Sequence, residues 1–251
     1  MLTPEGIERL RGNLADVRGT IAEACRRAGR DPGDVRLVAV TKYVDLDTIR
    51  ALLATGVRDL GENRVQQLVS RADTLGAADL ELLAPDSDAK HLPRWHMIGH
   101  LQRNKVKALL KHTRILHSLD SVRLTHEIER QAEKLGLTVD ALLEFNVAGE
   151  QAKSGAPLEE AGALAEAASR SPHIRLHGLM TMPPFDPDPE AARPHFARLR
   201  ELLERLRGDG AVGPDCVHLS MGMTIDYAVA IEEGATFVRI GSALFEGVTG
   251  N

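Results

Sequence analysis

The chain has little of several features that assign a class quickly. Cysteine occurs only twice in 251 residues, at Cys25 and Cys216, and neither belongs to a C-x-x-C pair or to a Cys/His spacing able to hold zinc. A disulfide framework is thereby excluded, and both thiols are expected as small buried apolar groups in a reducing compartment. No run of roughly eighteen apolar residues occurs, so no membrane span is expected. The opening MLTPEGIERL is polar and helical and lacks the apolar stretch of a secretory signal, so a cytoplasmic location is expected. Positive charge is not in excess either: 31 Lys and Arg stand against 36 Asp and Glu, a net charge of -5. Without a basic field, neither nucleic acid nor an anionic membrane surface is a natural partner, and a small ligand is expected instead.

What is present is alternation. After a leading helix over residues 4–30, short β-rich runs alternate with longer amphipathic segments, the pattern of βα units around a parallel sheet. Eight strands are predicted: 35–42, 57–63, 94–99, 114–120, 139–147, 175–182, 217–223 and 237–242. Helices are predicted over 46–55, 63–77, 101–111, 121–136, 158–170, 188–208 and 226–233, with a short turn after 242. Residues 78–93, rich in Pro, Asp and Ser, read as an exposed loop or insertion. A doubly wound nucleotide-binding sheet would carry a glycine fingerprint after its first strand, but here that strand runs into Thr41-Lys42-Tyr43. Eight strands in a chain near 250 residues fit one α/β domain over 1–251, a (β/α)8 TIM barrel with an extra N-terminal helix.

In such a barrel the working groups lie at the C-terminal ends of the strands. Lys42 ends the first strand after LVAVT, which places its amine in the barrel mouth. Desolvation favours a neutral lysine amine, and a neutral amine attacks an aldehyde to form a Schiff base. A lysine at a strand end can also simply snorkel its charge to water. The last two strands supply a second element: Ser220, Gly222 and Thr224 in LSMGMT, and Arg239, Gly241 and Ser242 in RIGS. Phosphate sites in barrels recur after strands seven and eight. A lysine facing a phosphate cradle suits pyridoxal 5'-phosphate (PLP), with Arg239 facing the pyridine nitrogen. Arginine cannot take the pyridinium proton, so it would leave that nitrogen bare and the cofactor a weaker electron sink.

Other residues invite roles with duller alternatives. His96 and His100 have a helical spacing, but His96 falls in a predicted strand, so metal ligation is not expected. The Gln102, Asn104, Lys105 segment lines the mouth or begins a solvated helix. Lys153, after strand five, takes part in cofactor transfer or is a plain solvated lysine. Asp226 reads as an early-helix carboxylate and Tyr227 as packing on the rim.

With these residues in view, the sequence resembles the pyridoxal phosphate homeostasis protein family, which is similar to the N-terminal barrel of alanine racemase. The matching stretches are VAVTKYVDLDTIRALLATGVRDLGENRVQQL, WHMIGHLQRNKVK, HSLDS, EFNVAGEQAKSG, GLMTMPP and LSMGMTIDYAVAIEEGATFVRIGSALF. The resemblance implies that Lys42 holds PLP, that Ser220 and Thr224 with the backbone of Gly222, Gly241 and Ser242 bind its phosphate, and that Arg239 approaches the ring nitrogen. It places Asn63 beside the ring and makes Met182 and Asn146 lining residues. One departure is Glu246, which stands before Gly247 where the family continues RIGSALF with Gly.

Racemisation on PLP needs a second base, which racemase-like enzymes take from an additional C-terminal domain, and the sequence runs only to Asn251. The expectation is therefore a monomeric PLP-binding protein that stores, buffers or delivers the cofactor, with PLP-dependent apo-enzymes as recipients and no catalytic residue. The alternatives are a PLP-dependent racemase or lyase, and an interaction module that retains PLP only as a structural ligand.

Overall fold

A computed structural model describes residues 2–77, 82, 92–149 and 154–248. Its first element, α1 (Pro4–Arg27), starts where Thr3 caps the helix by accepting from the Gly6 amide at 3.1 Å, with Pro4 in the first turn. It ends three residues earlier than predicted, as the chain turns through Gly29 at φ 64. Its apolar stripe, Leu10, Leu14, Val17 and Ile21, is buried.

Eight βα units follow. They are β1 (Arg36–Val40) and α2 (Leu46–Ala54), β2 (Asp59–Glu62) and α3 (Val65–Leu75), β3 (Arg94–Met97) and α4 (Val106–Leu109), and β4 (Ile115–Leu119) and α5 (Val122–Leu135). The second half comprises β5 (Val139–Glu144) and α6 (Ala161–Ser169), β6 (Ile174–Met180) and α7 (Arg193–Gly208), β7 (His218–Ser220) and α8 (Tyr227–Glu232), and β8 (Phe237–Ile240) and α9 (Ser242–Phe245). All neighbours are parallel and the sheet closes when β8 pairs with β1, Arg36 opposite Phe237 and Ala39 opposite Ile240. The architecture is the (β/α)8 barrel read from the sequence.

The elements are shorter than predicted. Where 101–111 was expected to be one helix, a 3-10 turn at Arg103–Lys105 leads into the brief α4. Arg103, Lys105 and Lys107 put positive charge at a helix N-terminus, the end that the macrodipole makes unfavourable for cations. α7 likewise starts at Arg193 instead of 188, with Pro194 in its first turn. Of the predicted loop 78–93, only Leu82, Leu92 and Pro93 lie within the described residues.

Strand alternation divides the side chains into two layers. Outward residues such as Trp95 and Val238 pack under the helices, and Cys25 and Cys216 are both buried, free thiols. Trp95 Nε1 donates to the Gly76 carbonyl at the end of α3, which fixes β3's orientation: Trp95 faces out, Arg94 and His96 face in. Barrel interiors are normally filled with branched apolar residues. This one holds a small apolar plug of Val38, Leu82, Ile115 and Phe237. Around the plug stand His117, His177 and His218, edge to face or tilted against Phe237 and one another. A polar interior is stable only if its groups bond to each other.

Candidate functional site

β1 stops at Val40, so Lys42 lies two residues past the strand instead of ending it. A turn closed by the Val44 amide on the Thr41 carbonyl at 3.0 Å carries it, and its side chain is half-buried rather than buried. Lys42 Nζ sits 4.9 Å from the centroid of the Tyr43 ring, a cation–π distance.

Lys42 opens into a cavity of about 350 Å³ at the C-terminal end of the barrel, near the small end of ligand pockets, which span roughly 300–1,000 Å³. Thr224, Arg239, Gly241 and Ser242 line the same cavity. The hydroxyls of Thr224 and Ser242 lie 3.0 Å apart, and the Ala243 amide points at Thr224 Oγ1 at 3.4 Å, so the two loops after β7 and β8 meet. Apolar walls come from Val40, Val44, Met223 and Phe245. Gly222 lies behind the cradle: its φ of 91 is left-handed, and a Cβ would fall 2.6 Å from Ala230 Cβ. Its carbonyl accepts from the Arg239 amide at 3.0 Å, which ties β8 to that turn.

Arg239 reaches the cavity from inside the barrel and is 3% exposed. Burial pushes its pKa down to about 10, against the pull of Glu144 and Asp226. Its Nη1 donates to Ser220 Oγ at 2.6 Å and its Nη2 to the Thr181 carbonyl at 2.8 Å. Ser220 is fully buried and does not line the cavity. This corrects the expected geometry, because the hydroxyl assigned to a phosphate is occupied below it.

The occupation continues across the barrel. Ser220 Oγ lies 2.9 Å from His117 Nδ1, His117 Nε2 lies 3.0 Å from His96 Nδ1, and His96 Nε2 lies 2.7 Å from Asp59 Oδ1. Burial drives the pKa of both imidazoles down, so each is neutral and carries one proton. Burial pushes the Asp59 carboxyl up, but hydrogen bonds from Arg94 and His96 overcome it and hold the carboxyl below the usual range. The Asp59 carboxylate accepts a hydrogen bond from His96 Nε2–H, which leaves His96 Nδ1 as acceptor. His117 then donates from Nε2, and Ser220 donates to His117 Nδ1 while accepting from Arg239. One arrangement of protons satisfies every group from Arg239 to Asp59.

Other predicted residues fall outside this constellation. Asn63, Met182 and Asn146 do not line the cavity; Asn146 accepts from the Gly149 amide at 3.0 Å to hold its own loop. The Asn63 backbone packs against Gly99: a Cβ there would lie 2.4 Å from the Asn63 carbonyl oxygen, so only glycine lets β3's exit pass. His100 pairs with Asp120 at 3.0 Å, away from His96. Asp226 does line the cavity, its Oδ1 accepting from the Met223 amide at 2.6 Å instead of capping α8, and burial raises its pKa. Glu246 is exposed, and Asn13 holds its carbonyl at 2.9 Å, so the last turn accommodates the departure. Lys153 lies outside the described residues. Among the described residues, no group of three or more His, Cys, Asp or Glu could hold a metal ion, and no helix is long and apolar enough to cross a membrane.

The model of one protein family, described as alanine racemase, N-terminal domain, matches residues 13–248. The pyridoxal phosphate homeostasis protein of Aquifex aeolicus (strain VF5) is 41% identical over 232 residues, which cover 92% of this chain and 95% of the relative. The chain belongs to the pyridoxal phosphate homeostasis protein family. Among solved structures, PipY of Synechococcus elongatus PCC7942 with PLP bound is similar at 30% identity and a TM-score of 0.73, covering 90% of this chain and 99% of PipY. An alanine racemase of Clostridium difficile 630 shares the fold, with 15% identity and a TM-score of 0.69, and 94% of this chain matches 56% of it.

Within this pyridoxal phosphate homeostasis family member, sequence reasoning missed the relay beneath Arg239. The signal was there: His96, His117, Ser220 and Arg239 all stand on predicted strands at inward parity. It missed Glu144 as well, a carboxyl 1% exposed at the end of β5 that accepts from Ser154 and whose pKa burial raises.

Proposed function

We propose that this protein binds PLP through Lys42 and serves intracellular PLP homeostasis, storing, buffering or delivering the cofactor without robust catalytic turnover. The observation that carries the reading is the convergence of Lys42, Arg239, Thr224, Gly241 and Ser242 on one cavity. The donor set fits the group: an amine for the carbonyl, two hydroxyls and loop backbone for a phosphate, and a buried cation for the heterocycle between them. The names of the relatives and PLP in the PipY structure support it. When bound, PLP supplies a carbonyl that condenses with an amine and a ring that withdraws electrons.

This chain's residues then have separate tasks. Lys42 provides the amine. Thr224 and Ser242 would hold the phosphate by hydrogen bonds, and Gly241 would allow the backbone close approach to it. Arg239, held from below by Ser220, would face the ring nitrogen as a donor that cannot take its proton. Val40, Val44 and Phe245 line the cavity and would keep water from a bound heterocycle.

Storage and delivery fit an open mouth. Tyr43, Phe185 and Ile225 edge the cavity and are 88%, 80% and 43% exposed, so the ligand has a path to solvent or to a docked recipient. The protein acts as one domain and one copy, in the cytoplasm, with PLP-dependent apo-enzymes as recipients. The test is to mix PLP-loaded protein with a PLP-free enzyme and, separately, with the proteinogenic amino acids. Recovery of the recipient's activity with no racemised or cleaved amino acid is expected. Sustained turnover of an amino acid would replace the carrier with a racemase or lyase.

A further inference from the structure

The loop that presents Lys42 is held by a helix from the next βα unit. Gln67 and Arg71 stand four residues apart on α3 and so share one face. Gln67 Nε2 donates to the Lys42 carbonyl at 2.9 Å, and Arg71 Nη1 donates to the Thr41 carbonyl at 2.8 Å. Arg71 Nη2 donates to the Val44 carbonyl. Three carbonyls in a four-residue turn are thus fixed by two side chains, while Tyr43 between them points to solvent.

The clamp is itself anchored. Arg71 is 8% exposed and pairs with Glu62, which is fully buried at the end of β2 and also accepts the Thr41 hydroxyl. The turn also closes on its own Val44–Thr41 hydrogen bond. Glu62 keeps its second oxygen, Oε2, buried without a partner among the described residues, so the ion pair is maintained at a cost.

We propose that Gln67 and Arg71 are positioning residues for Lys42, fixing its backbone so that the amine stays in reach of the cofactor carbonyl and recaptures it before it escapes. The idea rests on the PLP-binding reading above and adds to it what sets retention. With the Lys42 backbone pinned, only side-chain torsions remain between the amine and its target. The local concentration of amine is then high and little ordering is left for the bond to cost. Loosening the turn gives the cofactor more time to leave after each hydrolysis of the bond.

The test uses Gln67→Glu, which keeps the shape but sets an acceptor against the Lys42 carbonyl, and Gln67→Leu, which removes the donor without adding charge. Both are surface-edge changes on a half-buried side chain. Gln66→Glu, one residue away and exposed, makes the same charge change outside the clamp. Full-length proteins are loaded with PLP, and release is followed while alkaline phosphatase destroys free PLP. Amide exchange at Val44 is measured on the cofactor-free chains. Both Gln67 variants should release PLP about tenfold faster, the effect of one hydrogen bond to a carbonyl, and exchange Val44 faster. Gln66→Glu should do neither. Unchanged release and exchange in the Gln67 variants, with Lys42 still carrying PLP, would overturn the clamp alone. If the unmodified chain does not carry PLP on Lys42, the binding reading fails instead, and Val44 exchange still decides whether Gln67 holds the turn.

Discussion

The Ser220 hydroxyl lies 2.9 Å from His117 Nδ1 and receives Arg239 Nη1 at 2.6 Å, so one hydroxyl joins a neutral imidazole to a buried cation. The serine gives its one proton to His117 and accepts from Arg239. Its place in the protein is therefore to hold Arg239, and through His117 and His96 that hold extends to Asp59.

Replacing Ser220 with Ala leaves an Arg239 N–H and His117 Nδ1 unpaired in the barrel. The expected loss is about 1–3 kcal/mol of folding free energy, the cost of stranding buried polar groups, measured by urea unfolding. PLP binding should weaken about tenfold as Arg239 loses its seat. A variant that binds weakly at full stability would place the hydroxyl on the ligand after all.

Thr224 is expected to act on the phosphate alone. Thr224→Val removes its hydroxyl from Ser242 and the Ala243 amide and should weaken PLP about tenfold, while pyridoxal, which lacks the phosphate, binds as before. Calorimetric titration with the two compounds separates the outcomes. Equal weakening of both would mean that the loop, not the phosphate contact, was damaged.

The histidine-rich interior makes the fold acid-sensitive. Burial lowers the pKa of His218 from its ordinary 6.5 to about 4, and those of His96 and His117 also fall. In the window between those values the unfolded chain binds more protons than the folded one, so stability rises with pH. The contribution is whole above pH 6.5 and is lost as the pH falls from about 6.5 toward 4. Urea midpoints across this range should drop steeply, and His218→Gln should flatten part of the slope. An unchanged slope in His218→Gln would contradict a neutral His218 in the barrel.

Gly222→Ala should fail for two reasons at one position, a left-handed φ and a Cβ 2.6 Å from Ala230 Cβ. A loss of about 1–3 kcal/mol is expected from backbone strain alone, read as a lower thermal midpoint. Gly12→Ala, where a Cβ meets nothing within 4 Å, is the matched control and should not destabilise.

Much of this site was legible because barrels place function at fixed addresses. Alternating β-rich and amphipathic segments gave the barrel, and the loops after β7 and β8 put Thr224 and Ser242 on the cavity that Lys42 also lines. What could not be read was depth. Ser220 and Thr224 are four residues apart and look alike in a motif, yet strand parity turns Ser220 inward with His218 while the glycine turn at 222 carries Thr224 out to the cavity. Lys42 differs in the same way: the strand is predicted to run to residue 42, but β1 ends at Val40 and Lys42 lies half-buried on the turn that follows. The Gln67–Arg71 clamp joins residues some 25–30 positions apart, which local periodicity does not relate.

The most direct test of the account is to load the full chain with PLP, reduce it with borohydride, and map the labelled peptide by mass spectrometry. One label is predicted, on Lys42, absent from Lys42→Ala. A label on another lysine, or none under saturating PLP, would contradict it.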